Sequence, residues 1–239
     1  MTKLMSDLLD EINRAVCETP CLWWLGQSGF AIKYRGMVFY IDVCPSPSLD
    51  PGAINNADLI LCTHPRAGHM DPHALPAMLK ASPRARVVLT DSAIGRAHAI
   101  GVPYERMTTA QAGSMRVEYS KDGEHVHVYP VPCESPEGLG YVLRFGDCVI
   151  YHAGDGRGFG GMAARLRPYR ITVALLPIHG NSNLDIAGAA QLAEDIGARW
   201  LVPLHEEVNV DNFVNHMLGQ RPSIGFKIFE VGERWTAPV

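Results

Sequence analysis

Thr63-His64-Pro65-Arg66-Ala67-Gly68-His69-Met70-Asp71 follows the apolar run Ala57-Asp58-Leu59-Ile60-Leu61-Cys62 and leads into Pro72-His73-Ala74-Leu75. The run is short and bounded, the pattern of a buried strand. Asp71-Pro72 reads as an N-cap followed by proline in the first helical turn, and the helix continues through Leu75, Met78 and Leu79. Two histidines therefore stand on a tight turn between a strand and a helix. Loops at strand ends are where sites are built on a rigid scaffold, and imidazoles there are ready metal donors.

On the N-terminal side, Lys3 to Val16 carries apolar side chains at Met5, Leu8, Leu9, Ile12 and Val16, which is helical spacing suited to packing or to assembly. Cys21 to Leu25, Phe30 to Tyr34 and Met37 to Asp42 are short apolar runs separated by Gly26-Gln27-Ser28-Gly29 and Arg35-Gly36, an antiparallel meander. Asp42 closes its third strand. An acidic residue there suits two roles equally, orienting a nearby ligand or accepting in an Asx-turn.

On the C-terminal side, Ala85 to Thr90 is a strand, and Asp91-Ser92 caps a helix ending near Gly101. Gly113 to Pro132 holds further strands, in which His125 and His127 alternate with Val126 and Val128 and so face outward. Gly138 to Phe145 and Cys148 to His152 form a hairpin around Gly146-Asp147. Ile171 to Leu176 and Trp200 to Pro203 are strands followed by the helices Ile186 to Ile196 and Asn212 to Leu218, and the strands Lys227 to Val231 and Arg234 to Thr236 close the chain. Each half runs strands first and α/β units second, which suits two similar layers of a sandwich.

With 239 residues, 47% hydrophobic and 19% charged, the chain can bury a large core. The net charge of -4 is mixed along the chain, with no Lys/Arg cluster for nucleic acid. No apolar run is long enough to span a bilayer, and no signal peptide is visible. The six cysteines are scattered without a C-x-x-C pair, as reduced thiols of a cytoplasmic protein are.

Collected together, the strand ends carry His64 and His69, Asp155, His179 and His205. Each histidine alone reads as a hydrogen-bonded loop residue. Their joint placement points to Zn²⁺, Fe²⁺ or Mn²⁺ chemistry. The glycines around Asp155 lack a following Gly-Lys-Ser/Thr, which excludes a P-loop.

Trp24-Leu25-Gly26-Gln27-Ser28-Gly29-Phe30, Leu61-Cys62-Thr63-His64, His69-Met70-Asp71-Pro72, Tyr151-His152-Ala153-Gly154-Asp155 and Leu175-Leu176-Pro177-Ile178 resemble the metallo-β-lactamase superfamily, and within it the branch of ascorbate-6-phosphate lactonases and related metal-dependent hydrolases. The resemblance covers nearly the whole chain. It implies a single α+β domain over residues 1–239, an αββα sandwich with a metal site at one edge. It implies His64, His69, Asp155 and His205 as metal ligands and Asp155 and His69 as the catalytic pair. The family motif T-H-x-H-x-D-H is incomplete, because Arg66 replaces its middle His and Gly68 its Asp. The loop that carries a further family His reads Pro132-Cys133-Glu134-Ser135-Pro136 and has none.

One metal position thus keeps His69, Asp155 and His205; the other keeps His64 and Asp155 and faces the fixed cation of Arg66. The resemblance implies a hydrolase with one divalent ion, zinc or manganese, activating water against a small anionic lactone or phosphoester. Arg66 and His179 are its substrate-side candidates. The alternatives are a catalytically inactive homologue, without metal, in which Arg66 fills the remnant site and a small anion or a partner binds, and a rebuilt site that recruits Cys133, Glu134 or His179. No nucleic-acid or membrane partner is expected, and the N-terminal helix offers a face for homo-oligomer formation.

Overall fold

Side chains that alternate between two cores organise the first strands. In β1 (Cys21–Gly26), Leu22 and Trp24 point to one core while Cys21, Trp23 and Leu25 point to another. A strand covered on both faces is apolar throughout rather than alternating, and β2 (Gly29–Tyr34) and β3 (Met37–Ile41) are likewise buried along their length. The computed structural model describes residues 5–46, 49–113, 116–133, 137–158, 160–180, 184–204, 210–220 and 224–238.

Helix α1 (Met5–Arg14) precedes the meander; β4 (Leu59–Leu61), α2 (Ala74–Ala81), β5 (Arg86–Thr90), α3 (Ile94–Ala99) and β6 (Met107–Ala110) follow it. The second half repeats the plan with β7 (Val117–Lys121), β8 (Glu124–Pro132), β9 (Leu139–Phe145) and β10 (Cys148–His152), then α4 (Met162–Leu166), β11 (Val173–Pro177), α5 (Ile186–Asp195), β12 (Trp200–Leu204), α6 (Val210–Gln220), β13 (Gly225–Phe226) and β14 (Arg234–Thr236). The sheet orders are β14-β1-β2-β3-β4-β5-β6 and β13-β12-β11-β10-β9-β8-β7. In each, an antiparallel meander passes into parallel strands at one seam, β3 beside β4 and β10 beside β11.

Three apolar clusters make the layers. One lies between the sheets, with Phe30, Phe39, Tyr141 and Ile150 among its members. The others lie between each sheet and its helices, around Trp23, Tyr40 and Met78 on one side and around Val149, Ala190 and Phe213 on the other. This is the expected αββα sandwich. The apolar face of α1, offered above for assembly, is covered by its own sheet, with Leu8, Leu9 and Ile12 buried.

Two local expectations change. Helix α2 begins at Ala74, after Pro72, yet Asp71 does cap its start: Oδ1 accepts from the N–H of His73 (2.9 Å) and of Ala74 (2.7 Å). The strand expected over Lys227 to Val231 does not form. Only Gly225 and Phe226 pair with β12, and the chain then crosses the end of the sandwich. It buries Phe229 edge-to-face on Phe30 at 5.6 Å, so packing overrides the alternating pattern. His125 and His127 face outward as expected and pair with Glu118.

Candidate metal centre

Parallel pairing of β3 with β4 sets their C-terminal ends side by side, with Asp42 N–H donating to Leu61 O at 3.0 Å. Asp42 turns out of β3 with φ of 47°, a left-handed conformation that Asp tolerates better than most residues. Its buried carboxylate runs under the next loop. It accepts from Thr63 N–H (2.8 Å), Thr63 Oγ1 (2.6 Å) and His69 Nδ1 (2.8 Å). Of the two roles open for Asp42, the structure supports the one that orients a neighbouring ligand candidate.

His69 is buried between two carboxylates. Its Nδ1 faces Asp42, and its Nε2 lies 2.9 Å from Asp155 Oδ2. Burial works against its charge, but Asp42 and Asp155 outweigh that and push its pKa up to about 10. Asp155 reaches this point because β10 ends at His152 and Gly154 turns the chain with φ of +57°. A Cβ on Gly154 would stand 2.6 Å from Thr63 Oγ1, so the two loops approach at a distance only glycine allows. The sheets are also joined here by backbone acceptors. Leu139 N–H donates to Thr63 O (2.8 Å), Tyr141 O–H to Cys62 O (3.0 Å) and His152 Nε2–H to Ser28 O (2.8 Å). His152 Nδ1 accepts from Gly154 N–H at 3.1 Å, so both ring nitrogens serve the backbone.

His64 is arranged differently. Its Nδ1 accepts from the Arg66 N–H at 3.1 Å. Burial, then Arg66 and His69, lower its pKa and keep the ring neutral. A neutral imidazole that accepts at Nδ1 carries its proton on Nε2, which is then a donor rather than a ligand. Arg66 extends over the mouth with its side chain 65% exposed, and Nη1 lies 3.9 Å from Asp155 Oδ2. Gly68 faces open space, with nothing within 4 Å of an added Cβ. Its carbonyl accepts from Cys44 Sγ at 3.0 Å, a neighbour the sequence analysis did not single out.

Two further candidates line separate cavities. His179 joins Asp185 in an isolated bridge and lines a cavity of about 400 Å³ with Asn212 and His216. Cys133 lines another, of about 390 Å³, with Thr90, Ser92 and Glu137. His205 and Glu134 lie outside the described residues.

His69 Nε2 and Asp155 Oδ2 converge, and a carboxylate holds the opposite nitrogen of His69, as it does for ligating histidines. Among the described residues no three His, Cys, Asp or Glu side chains assemble a complete site, and the third expected donor, His205, is not among them. A second position would place a cation against the Arg66 guanidinium and the Nε2–H of His64, and these residues do not fit it.

A profile of the beta-lactamase superfamily domain matches residues 21–205. A UPF0173 metal-dependent hydrolase of Caldivirga maquilingensis is 30% identical over 77% of this chain and 81% of its own, and one of Hyperthermus butylicus is 29% identical over 76% and 81%. Among solved structures, the novel metallo hydrolase Igni18 of Ignicoccus hospitalis superposes with a TM-score of 0.77 over 92% of this chain and 99% of its own at 20% identity, a likeness of fold.

Proposed function

Since this chain belongs to the beta-lactamase superfamily, among the UPF0173 metal-dependent hydrolases, we propose that it is a hydrolase working with one divalent ion, zinc or manganese, at His69, Asp155 and His205. Its substrate in this reading is a small anionic lactone or phosphoester. The observation that carries the proposal is the convergence of His69 Nε2 on Asp155 Oδ2 at 2.9 Å with Asp42 fixing the far side of the ring. When bound, the ion supplies Lewis acidity toward an electrophilic oxygen and acidifies water.

The chain's own residues set the rest. Asp42 keeps the proton of His69 on Nδ1 and leaves Nε2 to donate its lone pair once that nitrogen is deprotonated. Asp155 supplies the negative charge that offsets the cation. Arg66, on a mostly exposed side chain, can leave Asp155 and present its planar donors to a substrate carboxylate or phosphate. Gly68 offers no carboxylate to take a proton from water, so turnover is expected to be slow for the family.

A second reading has its own observation. The guanidinium 3.9 Å from Asp155 is itself a cation in the remnant site, and the protein then binds an anion or partner without metal. Metal content and calorimetric titration with Zn²⁺ and Mn²⁺ separate the two. One equivalent that is lost in His69→Ala, with Arg66→Ala keeping the metal and weakening substrate binding, supports the hydrolase. Metal binding that appears only in Arg66→Ala supports the second reading and sinks the first. Gly68→Asp, for which the backbone has room, is expected to tighten metal binding.

A further inference from the structure

At the end of the sandwich opposite Asp155, the second sheet borders a cavity of about 580 Å³. β10, β11 and β12 run parallel toward the metal-candidate loops, so the residues that precede them, Asp147, Thr172 and Arg199, lie at the far end. Four arginines line the cavity: Arg144 from β9, Arg167 and Arg170 from the turn after α4, and Arg199 from the turn before β12. Two are anchored. Arg144 Nη2 donates to Tyr169 O at 2.9 Å, and Arg167 Nε donates to Asp195 O. Each bond uses one N–H of a guanidinium that has five, and the two bonds tie the turn after α4 to β9 and to the end of α5, so this wall is preformed. The side chains of Arg170 and Arg199 donate to no protein group among the described residues.

The carboxylates of Asp147, Glu194 and Asp195 line the same cavity, yet among the described residues none forms an ion pair with any of the four arginines. Asp195 Oδ1 instead accepts from Gln191 Nε2 at 3.1 Å. A cation beside the last carbonyls of a helix complements its dipole, and α5 ends at Asp195. That accounts for Arg167 and leaves Arg170 and Arg199 unexplained. Arg170 also holds a left-handed backbone, φ of 56°, which Gly or Asn adopts at lower cost. Guanidiniums gathered in one concavity repel each other, and the neighbouring acids that could neutralise them stand apart. Planar guanidinium forks match the oxygens of a phosphoryl group, and carboxylates on the same wall accept from hydroxyl groups. The volume falls within the range of small-molecule sites, about 300–1,000 Å³.

We propose that this cavity binds an organic phosphate that carries hydroxyl groups, with Arg170 and Arg199 gripping the phosphoryl oxygens and the wall carboxylates accepting from the hydroxyls. Arg144 and Arg167 keep their backbone bonds and add positive charge behind the phosphoryl group. The site is separate from the metal centre and does not depend on the function proposed there. No bond of the ligand is made or broken in it.

The test is calorimetric titration of the full chain with ribose 5-phosphate, inorganic phosphate and ribose. Ribose 5-phosphate is expected to bind at one site more tightly than inorganic phosphate, and ribose is expected not to bind. Added salt should weaken the binding, as it does for exposed charges. The double variant Arg170→Gln, Arg199→Gln should weaken it at least about tenfold with an unchanged melting temperature, because neither side chain bonds to the protein. Arg66→Ala should bind ribose 5-phosphate as the parent does, which separates this site from the metal edge. Absence of ribose 5-phosphate binding overturns the proposal, as does affinity that survives the double variant or is lost in Arg66→Ala. Equal affinity for inorganic phosphate and ribose 5-phosphate overturns the role given to the carboxylates. If the double variant does not fold, Arg199→Gln alone gives the same reading.

Discussion

Replacing Asp42 by Asn separates the charge under the metal-candidate loop from its shape. Asn tolerates the left-handed backbone at this position (φ of 47°) as Asp does, so the change falls on hydrogen bonding and charge rather than on the backbone. The carboxylate accepts from three donors, two on Thr63 and one on His69, at 2.6 to 2.8 Å. An amide has one oxygen, so its NH₂ must face at least one of those donors. A buried donor left without an acceptor costs about 1–3 kcal/mol, and His69 also loses one of the two carboxylates that hold its proton. We expect a loss of about 2–4 kcal/mol, read as a lower urea midpoint at unchanged m-value. Because Asp42 orients His69, metal affinity should fall about 10–100-fold by calorimetry. Asp42→Ala should be worse by roughly 1–2 kcal/mol more, from backbone strain. An Asn variant within about 0.5 kcal/mol of the parent, binding metal undiminished, would refute the role given to Asp42.

Gly154→Ala places a Cβ 2.6 Å from Thr63 Oγ1 at a backbone φ of +57°, and a fall in unfolding free energy of about 2–4 kcal/mol should register as a lower melting temperature. Tyr151 Oη is buried with no hydrogen-bond partner among the described residues; Tyr151→Phe should therefore be neutral or stabilising by up to about 1 kcal/mol in denaturant titration. Burial pushes the Cys148 thiol up to about 12 from an ordinary 9.0. The folded chain keeps this proton while the unfolded chain releases it, so stability should fall as pH rises from about 9 to 12. Cys148→Ala should flatten that slope by up to about 1.4 kcal/mol per pH unit.

Much of this molecule can be read along the chain. The sandwich follows from apolar runs of strand length, glycine turns and the order of strands and helices in each half. His69 and Asp155 stand out because each lies in the loop that follows a strand. Asp42 was harder, since an acidic residue after a strand becomes an orienting group only when β3 lies parallel to β4 and their ends are neighbours. The proton position on His64 depends on one backbone N–H of Arg66, a local geometry that spacing does not encode. The contact between Cys21 and Arg234 joins residues 213 positions apart and exists only because the last strand pairs with the first. Phe229 left its expected strand because a place in the inter-sheet core outweighed the ladder.

The loop from Thr63 to Asp71 owes its shape to hydrogen bonds that its variable side chains do not make. Asp42 holds Thr63 from below, Leu139 and Tyr141 donate to the backbone around it, and Arg66 contributes through its carbonyl, which accepts from His69 N–H and Met70 N–H at 2.9 and 2.7 Å. Any residue at position 66 supplies that carbonyl, and a Cβ at position 68 meets nothing within 4 Å. These two positions are interchangeable sockets in a frame that does not depend on what fills them. Mutation can exchange a ligand for an arginine, or a carboxylate for nothing, without asking the chain to find a new fold, and reversing such exchanges is equally open to design.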